Sequence, residues 1–538
     1  MAPVASTPHP HATVRDPLAN AKSSLNLVGA AGFFGGDIAV HGMATVIFFF
    51  SRRFGGLYNA PGSLEVARRY GQLAGTRVYR GLFPGGDTTD PAQLFGLDGK
   101  DGPKFFAAHS GSLFERTSHL GYLIARMALR RKCEKPDPHP TPLTQAERTT
   151  YPGTVTIIDL NHLPEDQPKK LVHPEVQYRH YGLLALIPIL TSIGACVGSA
   201  LVADWWSFGC ILIGMVANGC ACFVLGSGKI AFQHPEPAQG APPGDGVLWA
   251  GRNDVVVIRG SERAVNTVTR GRFFLQYDED AHDAPFASNG PPAENGANSN
   301  VKPDGDSNPL LVKGGEQQKP KRDGSYDAPK GGKPNSFWIG IASLLLILQF
   351  LVQLLLIPQA TLFGQLMFVC TLAVSGGYNA YLSSMDREDI QTRILNEILK
   401  LDEEPEGDGQ GRRPQKIRKF GFGTWTATST FACLALQPDS HQRLPDTSKV
   451  LNTLIPNDTE VWNRWKGILK GKLQSKESWS FTPEDRKLRV QGSGNSQSEA
   501  GVERRVAVEP NPKDEVLLDL FITDAEVAYQ RYRNAFHT

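Results

Sequence analysis

Four stretches stand out along the chain because nothing in them is charged. Gly182–Val202, Ser207–Leu225, Phe337–Ile357 and Leu362–Leu382 contain no Asp, Glu, Lys, Arg or His over about 19–21 residues each. At 1.5 Å per residue, a helix of that length covers roughly 30 Å, the hydrocarbon thickness of a bilayer. A buried helix of a soluble domain usually keeps a polar face at such lengths. The pattern therefore predicts four membrane spans. They come in two close pairs, separated by Asp204–Trp206 and by Pro358–Thr361. Connections that short force antiparallel hairpins. The expected fold is an α-helical integral membrane protein with two transmembrane helical hairpins, a small mixed α/β cytosolic region and disordered linkers.

Orientation follows from the flanks. Neither tight turn contains Lys or Arg, whereas Lys169, Lys170 and Arg179 precede the first hairpin and Lys229 follows it. Lys319, Lys321, Arg322, Lys330 and Lys333 precede the second, and Arg387, Arg393 and Lys400 follow it. The positive-inside rule places all four flanks in the cytosol and both turns on the other side. Trp205, Trp206, Trp338, Tyr378 and Tyr381 near the span ends suit the headgroup interface. A fifth apolar segment, Leu27–Phe50, is interrupted by Asp37, His41 and five glycines. The insertion sum leaves both a span and a Gly-rich buried or interfacial helix open, and the latter is the preferred reading.

These boundaries divide the chain into a disordered N-terminus (1–24), the apolar Gly-rich segment (25–53) and a cytosolic region (54–181). Hairpin 1 (182–228), an α/β segment (229–277), a disordered linker (278–335), hairpin 2 (336–385) and a cytosolic C-terminal region (386–538) follow. Thr154–Leu160, Val255–Ile258 and Arg272–Tyr277 read as strands, with a short helix opening at Ser261. Thr424, Thr426, Thr428 and Thr430 alternate with Trp425, Ala427, Ser429 and Phe431, which predicts another strand. These β runs are expected to join in one small domain. Helical spacing predicts helices at Asp386–Leu401, Thr459–Leu473 and Asp514–Phe536, and a basic one at Ser118–Lys132 that could either adhere to an anionic leaflet or pack on the domain.

Composition narrows the function classes. Lys and Arg number 56 against 54 Asp and Glu, for a net charge of +2, so no nucleic-acid partner is expected. The seven Cys form no disulfide framework. Gly226–Lys229 lacks both the earlier Gly and the following Ser/Thr of a phosphate loop. The carboxylate pairs Asp278–Asp280 and Asp304/Asp306 lie in the linker, and Cys220 and Cys222 point about 200° apart on a helix without a companion His. No HExxH, paired CxxC or GxSxG occurs, so no catalytic, metal or cofactor residue is assigned and the chain does not read as an enzyme. Asp37 and His41 share one helical face, for which a structural hydrogen bond or no shared role is expected before a proton relay.

Helix packing is the clearest role that residues can be given. Gly194 and Gly198, with Ala195 and Ser199, form a small-residue face, and Gly376 and Gly377 continue the idea in the fourth span. Gln349 and Gln353 share one face of the third span, where amides seek partners on other helices. No span carries an ionisable side chain, which argues against a proton-coupled transporter. The paired hairpins, the block Asp254–Phe273 (DVVVIRGSERAVNTVTRGRF) and the long linker together resemble fungal multi-pass membrane proteins of uncharacterised function, from about residue 25 onward. The resemblance implies a membrane location and brings no functional residues. The expected partners are the lipid bilayer and other proteins or further copies of this chain. A membrane-anchored scaffold or interaction protein is the favoured function, and a small-solute channel or transporter of oligomerised hairpins the alternative.

Overall fold

The structure, a computed structural model of the chain, describes residues 14, 16–18, 35–74, 77–84, 90–134, 151–163, 170–172, 179–277, 336–401, 416–437, 447–475, 479–488 and 512–536. The expected disordered segments 1–24 and 278–335 lie almost entirely outside the described residues.

The chain opens with α1 (Gly36–Met43), a 3-10 turn (Ala44–Ile47), α2 (Phe50–Phe54), α3 (Ser63–Tyr70), α4 (Arg77–Leu82) and α5 (Pro91–Leu94). Next come β1 (Phe105–Ala107), β2 (Leu113–Phe114), α6 (His119–Arg130), β3 (Gly153–Asp159) and β4 (Lys170–Val172). Two long helices follow, α7 (Arg179–Leu201) and α8 (Trp205–Leu225). β5 (Lys229–Gln233), β6 (Gly246–Trp249), β7 (Asp254–Arg259), α9 (Glu262–Thr269) and β8 (Arg272–Gln276) lead to the second long pair, α10 (Ser336–Leu356) and α11 (Leu362–Ser383). The C-terminal part adds α12 (Arg387–Ile398), β9 (Ile417–Phe422), α13 (Trp425–Ala435), α14 (Thr447–Leu454), α15 (Glu460–Gln474) and α16 (Pro512–Phe536).

Among the described residues, three helices are long and apolar enough to cross a membrane: Leu183–Leu201, Trp205–Leu225 and Phe337–Gln359. The fourth expected stretch forms α11 over 22 residues but is less apolar, because Gln365, Thr371, Ser375 and Asn379 lie on its buried side. The long helices bury scattered polar residues among apolar ones and turn rows of apolar residues outward. Leu186, Ile187, Leu190 and Val197 of α7 and Leu348, Leu351 and Leu355 of α10 face outward. Ser192, Asn218, Gln349, Thr371 and Ser375 are buried.

The second hairpin straddles the first, with α10 on α8 and α11 on α7. α1 packs on α11, α3 on α10, and α1 on α3, so the N-terminal segment closes the ring between the two arms. The two tight turns meet at one end. There Asp204 caps its own helix by accepting from the Ser207 backbone N–H at 3.2 Å. Its other oxygen accepts from the Thr361 backbone N–H and hydroxyl, both at 2.9 Å. At the opposite end α8 runs into β5 and α11 into α12.

The domain at that end is built on a six-stranded sheet in the order β2-β1-β6-β7-β3-β9, with β3 and β7 parallel and every other pairing antiparallel. Period-two alternation splits β7 between two cores. Val255 and Val257 pack with Phe431, Trp465 and Phe521 of the C-terminal helices. Val256 and Ile258 join Leu120, Leu123 and Val268. That second core continues without a break through the small sheet β4-β5-β8 to Leu225, Cys222 and Val46, so domain and bundle share one apolar interior.

One expected strand is corrected, and two open readings gain detail. Thr424–Phe431 is the start of α13, not a strand. Thr424 caps the helix through the Ala427 N–H, and the Thr428 and Thr430 hydroxyls donate to carbonyls four residues back. Burial on all sides removes the helical stripe, leaving a false period of two. The strand lies just upstream, as β9. Within Leu27–Phe50 the described residues form a short apolar helix and turn at Gly36–Ile47, shorter than a membrane span, while 27–34 lie outside the described residues. His41 faces Arg387 at 3.2 Å. The basic helix α6 packs on the domain. Arg126 pairs with Asp386, Glu388 and Asp389 of α12, and Arg130 with Asp386 and Asp389, so these charges are already matched within the protein.

Candidate functional site at the centre of the bundle

The chain between α2 and α3 enters the bundle from the domain end, turns at Asn59 and leaves on the same side. Charge patterning assigns residues 54–61 to the region outside the bundle, yet Tyr58, Asn59 and Ala60 are buried among the long helices. Glycines make the entry possible. A Cβ at Gly56 would lie 2.6 Å from that of Cys222, and one at Gly214 would lie 2.0 Å from the Asn59 side-chain oxygen. Gly214 is near the middle of α8, so the tip reaches about half the bundle's depth.

A non-helical backbone this deep needs partners for its polar groups. All four long helices supply them. Asn218 Nδ2 on α8 donates to the Gly56 carbonyl at 2.7 Å. The Asn59 N–H donates to Ser192 Oγ on α7 at 3.1 Å. Ser375 Oγ on α11 donates to the Asn59 carbonyl at 2.6 Å, and Gln349 Nε2 on α10 to the Ala60 carbonyl at 3.1 Å. The Asn59 amide completes the set. Its Nδ2 donates to Thr371 Oγ1 at 3.0 Å, and its Oδ1 accepts from Gln353 Nε2 at 2.8 Å.

Beside this tip lies a buried cation. Arg52 is 1% exposed and, among the described residues, makes no ion pair. Its Nη1 donates to the Tyr58 hydroxyl at 3.1 Å, which donates onward to Asn379 Oδ1 at 2.9 Å. The guanidinium carbon lies 5.2 Å from the Tyr378 ring centre and 5.8 Å from that of Tyr58, within cation–π range. Arg52, Tyr58, Ser63, Asn218 and Asn379 line a cavity of about 10 Å³, room for about one water. The Arg52 Nε has no protein partner. The arrangement can hold the loop in place.

Of the residues singled out by sequence, Gln349 and Gln353 come together on the loop. The glycines do not. Cβ atoms at Gly194 and Gly377 would meet nothing within 4 Å, and those at Gly198 and Gly376 would only touch Phe363 and Pro61. On α7 their neighbours Ala195 and Ser199, one position round the helix, are buried. Sequence reasoning misses Asn59, Ser192, Asn218, Thr371, Ser375 and Arg52. Isolated polar residues inside uncharged stretches are the available signal. Cys222 Sγ lies 3.8 Å from Met43 Sδ, in apolar packing. No group of three His, Cys, Asp or Glu able to hold a metal occurs among the described residues.

Comparison with protein-family models, curated proteins and solved structures finds no match for this chain.

Proposed function

We propose that this is an integral membrane protein in which a closed bundle anchors a mixed α/β domain, and that it acts as a membrane-anchored scaffold or interaction protein. The bilayer assignment draws on the rows of apolar side chains that the long helices turn outward. Rows of outward Leu and Ile would be unfavourable in water by about 1.5–3 kcal/mol per side chain, and in lipid they are at home. The basic flanks put the domain in the cytosol and the joined turns on the far side.

The observation that carries the reading is Asn59 hydrogen-bonded to three long helices at the core of the bundle. A centre filled by the protein's own chain favours an anchor over a conduit. The shared apolar interior favours a domain held rigidly against the membrane. The competing reading, a small-solute channel or transporter of oligomerised hairpins, draws on Arg52, because a buried cation in a membrane protein is a default candidate for a functional site.

Reconstitution into proteoliposomes separates the two. The scaffold reading expects no flux of small anions, cations or neutral solutes above that of protein-free vesicles. Saturable anion flux abolished by Arg52→Leu would replace it with the conduit.

A further inference from the structure

A groove of about 480 Å³ opens between α8 and α10 on the domain side of Asn59. One wall is the α8 stripe Val216, Gly219, Cys220, Phe223 and Val224, and the other runs from Trp338 to Leu345 on α10. Leu57 of the inserted loop, itself half exposed, also lines the groove. It sits so close to Gly219 that a Cβ there would lie 2.6 Å from its Cδ2. The volume falls in the range of small-molecule sites.

The ends of the groove differ. The deep end is wholly apolar, whereas the end near the domain carries Ser227 and Tyr277. The Ser227 hydroxyl is satisfied by the Val224 carbonyl at 2.7 Å. The Tyr277 hydroxyl is not. The residue is 3% exposed, lines the groove, and among the described residues its oxygen has no hydrogen-bond partner. The oxygen is covered beside the groove, so an occupant must part that cover to reach it; a buried hydroxyl without a partner is unfavourable by roughly 1–3 kcal/mol, a cost that an acceptor supplied there would relieve. Burial also pushes the Tyr277 phenol well above its ordinary range, so it stays a neutral donor.

Length identifies the occupant. From Val216 to Leu225, where α8 ends, the wall rises about 14 Å, which is close to half of a bilayer's roughly 30 Å hydrocarbon core. The groove thus runs from mid-membrane to one interface, the depth of one acyl chain in one leaflet. In a glycerolipid the ester carbonyl sits where the chain meets the interface, at the level of Tyr277. We propose that the groove holds one acyl chain of a diester glycerophospholipid, whose ester carbonyl accepts a hydrogen bond from Tyr277. The proposal rests on the bundle lying in a bilayer.

Full-length protein in mild detergent, checked first for resistance to carbonate extraction, is titrated with diester phosphatidylcholine and with its diether analogue, which lacks the carbonyls. Bound lipid is counted by native mass spectrometry. Extraction by carbonate would defeat the membrane reading itself, and the groove proposal with it. With a membrane-resident protein, we expect one tightly held diester lipid per chain. Tyr277→Phe should weaken it about three- to ten-fold at unchanged melting temperature. The diether should bind wild type about as weakly as the diester binds Tyr277→Phe, and Cys220→Phe, which fills the groove, should remove the tight lipid. Equal binding of diester and diether, insensitivity to both substitutions, or a free fatty acid retained instead would overturn the proposal.

Discussion

Replacing Asn59 with Ala probes the bundle's centre where the fewest other things change. The backbone bonds to Ser192 and Ser375 remain, while two side-chain bonds vanish, at 3.0 Å to Thr371 and 2.8 Å from Gln353. Interhelical hydrogen bonds in membrane proteins contribute about 0.6 kcal/mol each on average and reach about 1.7, so the two together suggest about 1–3 kcal/mol. Both partners keep a second bond, Thr371 to the Phe368 carbonyl and Gln353 to the Cys210 carbonyl, which keeps the loss from being larger. A small void adds to it. Unfolding in mixed micelles, followed by circular dichroism, reads the change. A cycle with Gln353→Ala isolates the pair, with an expected coupling of about 0.6–1.7 kcal/mol. Gly377→Ala, whose added Cβ meets nothing within 4 Å, serves as the near-neutral control. If Asn59→Ala fell within about 0.3 kcal/mol of wild type with no coupling to Gln353, the loop would not be seated as described.

Other consequences follow from separate places in the molecule. Asp204→Ala should unlatch the two turns and destabilise by about 2 kcal/mol or more in the same assay, since it strands the Thr361 N–H and hydroxyl and the Ser207 N–H, while Asp204→Asn should recover part of the loss. Burial lowers the pKa of His119 against the opposing help of its hydrogen bond with Gln391, so the folded protein holds it neutral. Its contribution is therefore complete above its ordinary value of 6.5 and is lost as pH falls through the window below it; the pH dependence of melting should flatten there in His119→Gln, and an unchanged profile would remove His119 as its source. Cys433 is buried, with its thiol pushed up to about 12, so it should resist maleimide in the native protein, whereas exposed Cys133 should react, and only after vesicles are opened to the cytosolic face; labelling of Cys133 from outside would reverse the orientation.

Much of this architecture can be read from residue order alone, and the exceptions have a common cause. The long helices are legible because an uncharged run of bilayer length has little place in a water-soluble fold. β7 and α9 are legible because Val255–Ile258 is followed by a glycine and a capping serine. Gln349 and Gln353 are legible as interior amides, though not what they hold. What stays hidden is the loop that enters the bundle. Its partners are single residues scattered over four helices, and Gly55–Pro61 looks like any polar-to-apolar turn after the basic pair Arg52–Arg53. Within the small-residue face of α7, Ala195 and Ser199 are buried in the bundle while Gly194 has no neighbour within 4 Å of a built Cβ, a split between neighbouring positions that spacing alone does not reveal. In α13, complete burial erases the stripe that identifies a helix, so only the alternation of Thr is left to see.

The seat of Asn59 at the heart of the bundle can be tested by a disulfide. With the seven native cysteines replaced, Asn59→Cys and Thr371→Cys are introduced together, since the native side chains meet at 3.0 Å. Mild oxidation in native membranes should cross-link the pair, visible as protease-cut fragments of the N-terminal and α11 regions that stay joined until reduced. Moving the second cysteine to Gly377, which faces outward on the same helix, should abolish the link. Failure of the Asn59–Thr371 pair to form, or equal cross-linking at Gly377, would contradict a chain segment buried at the centre of the four helices.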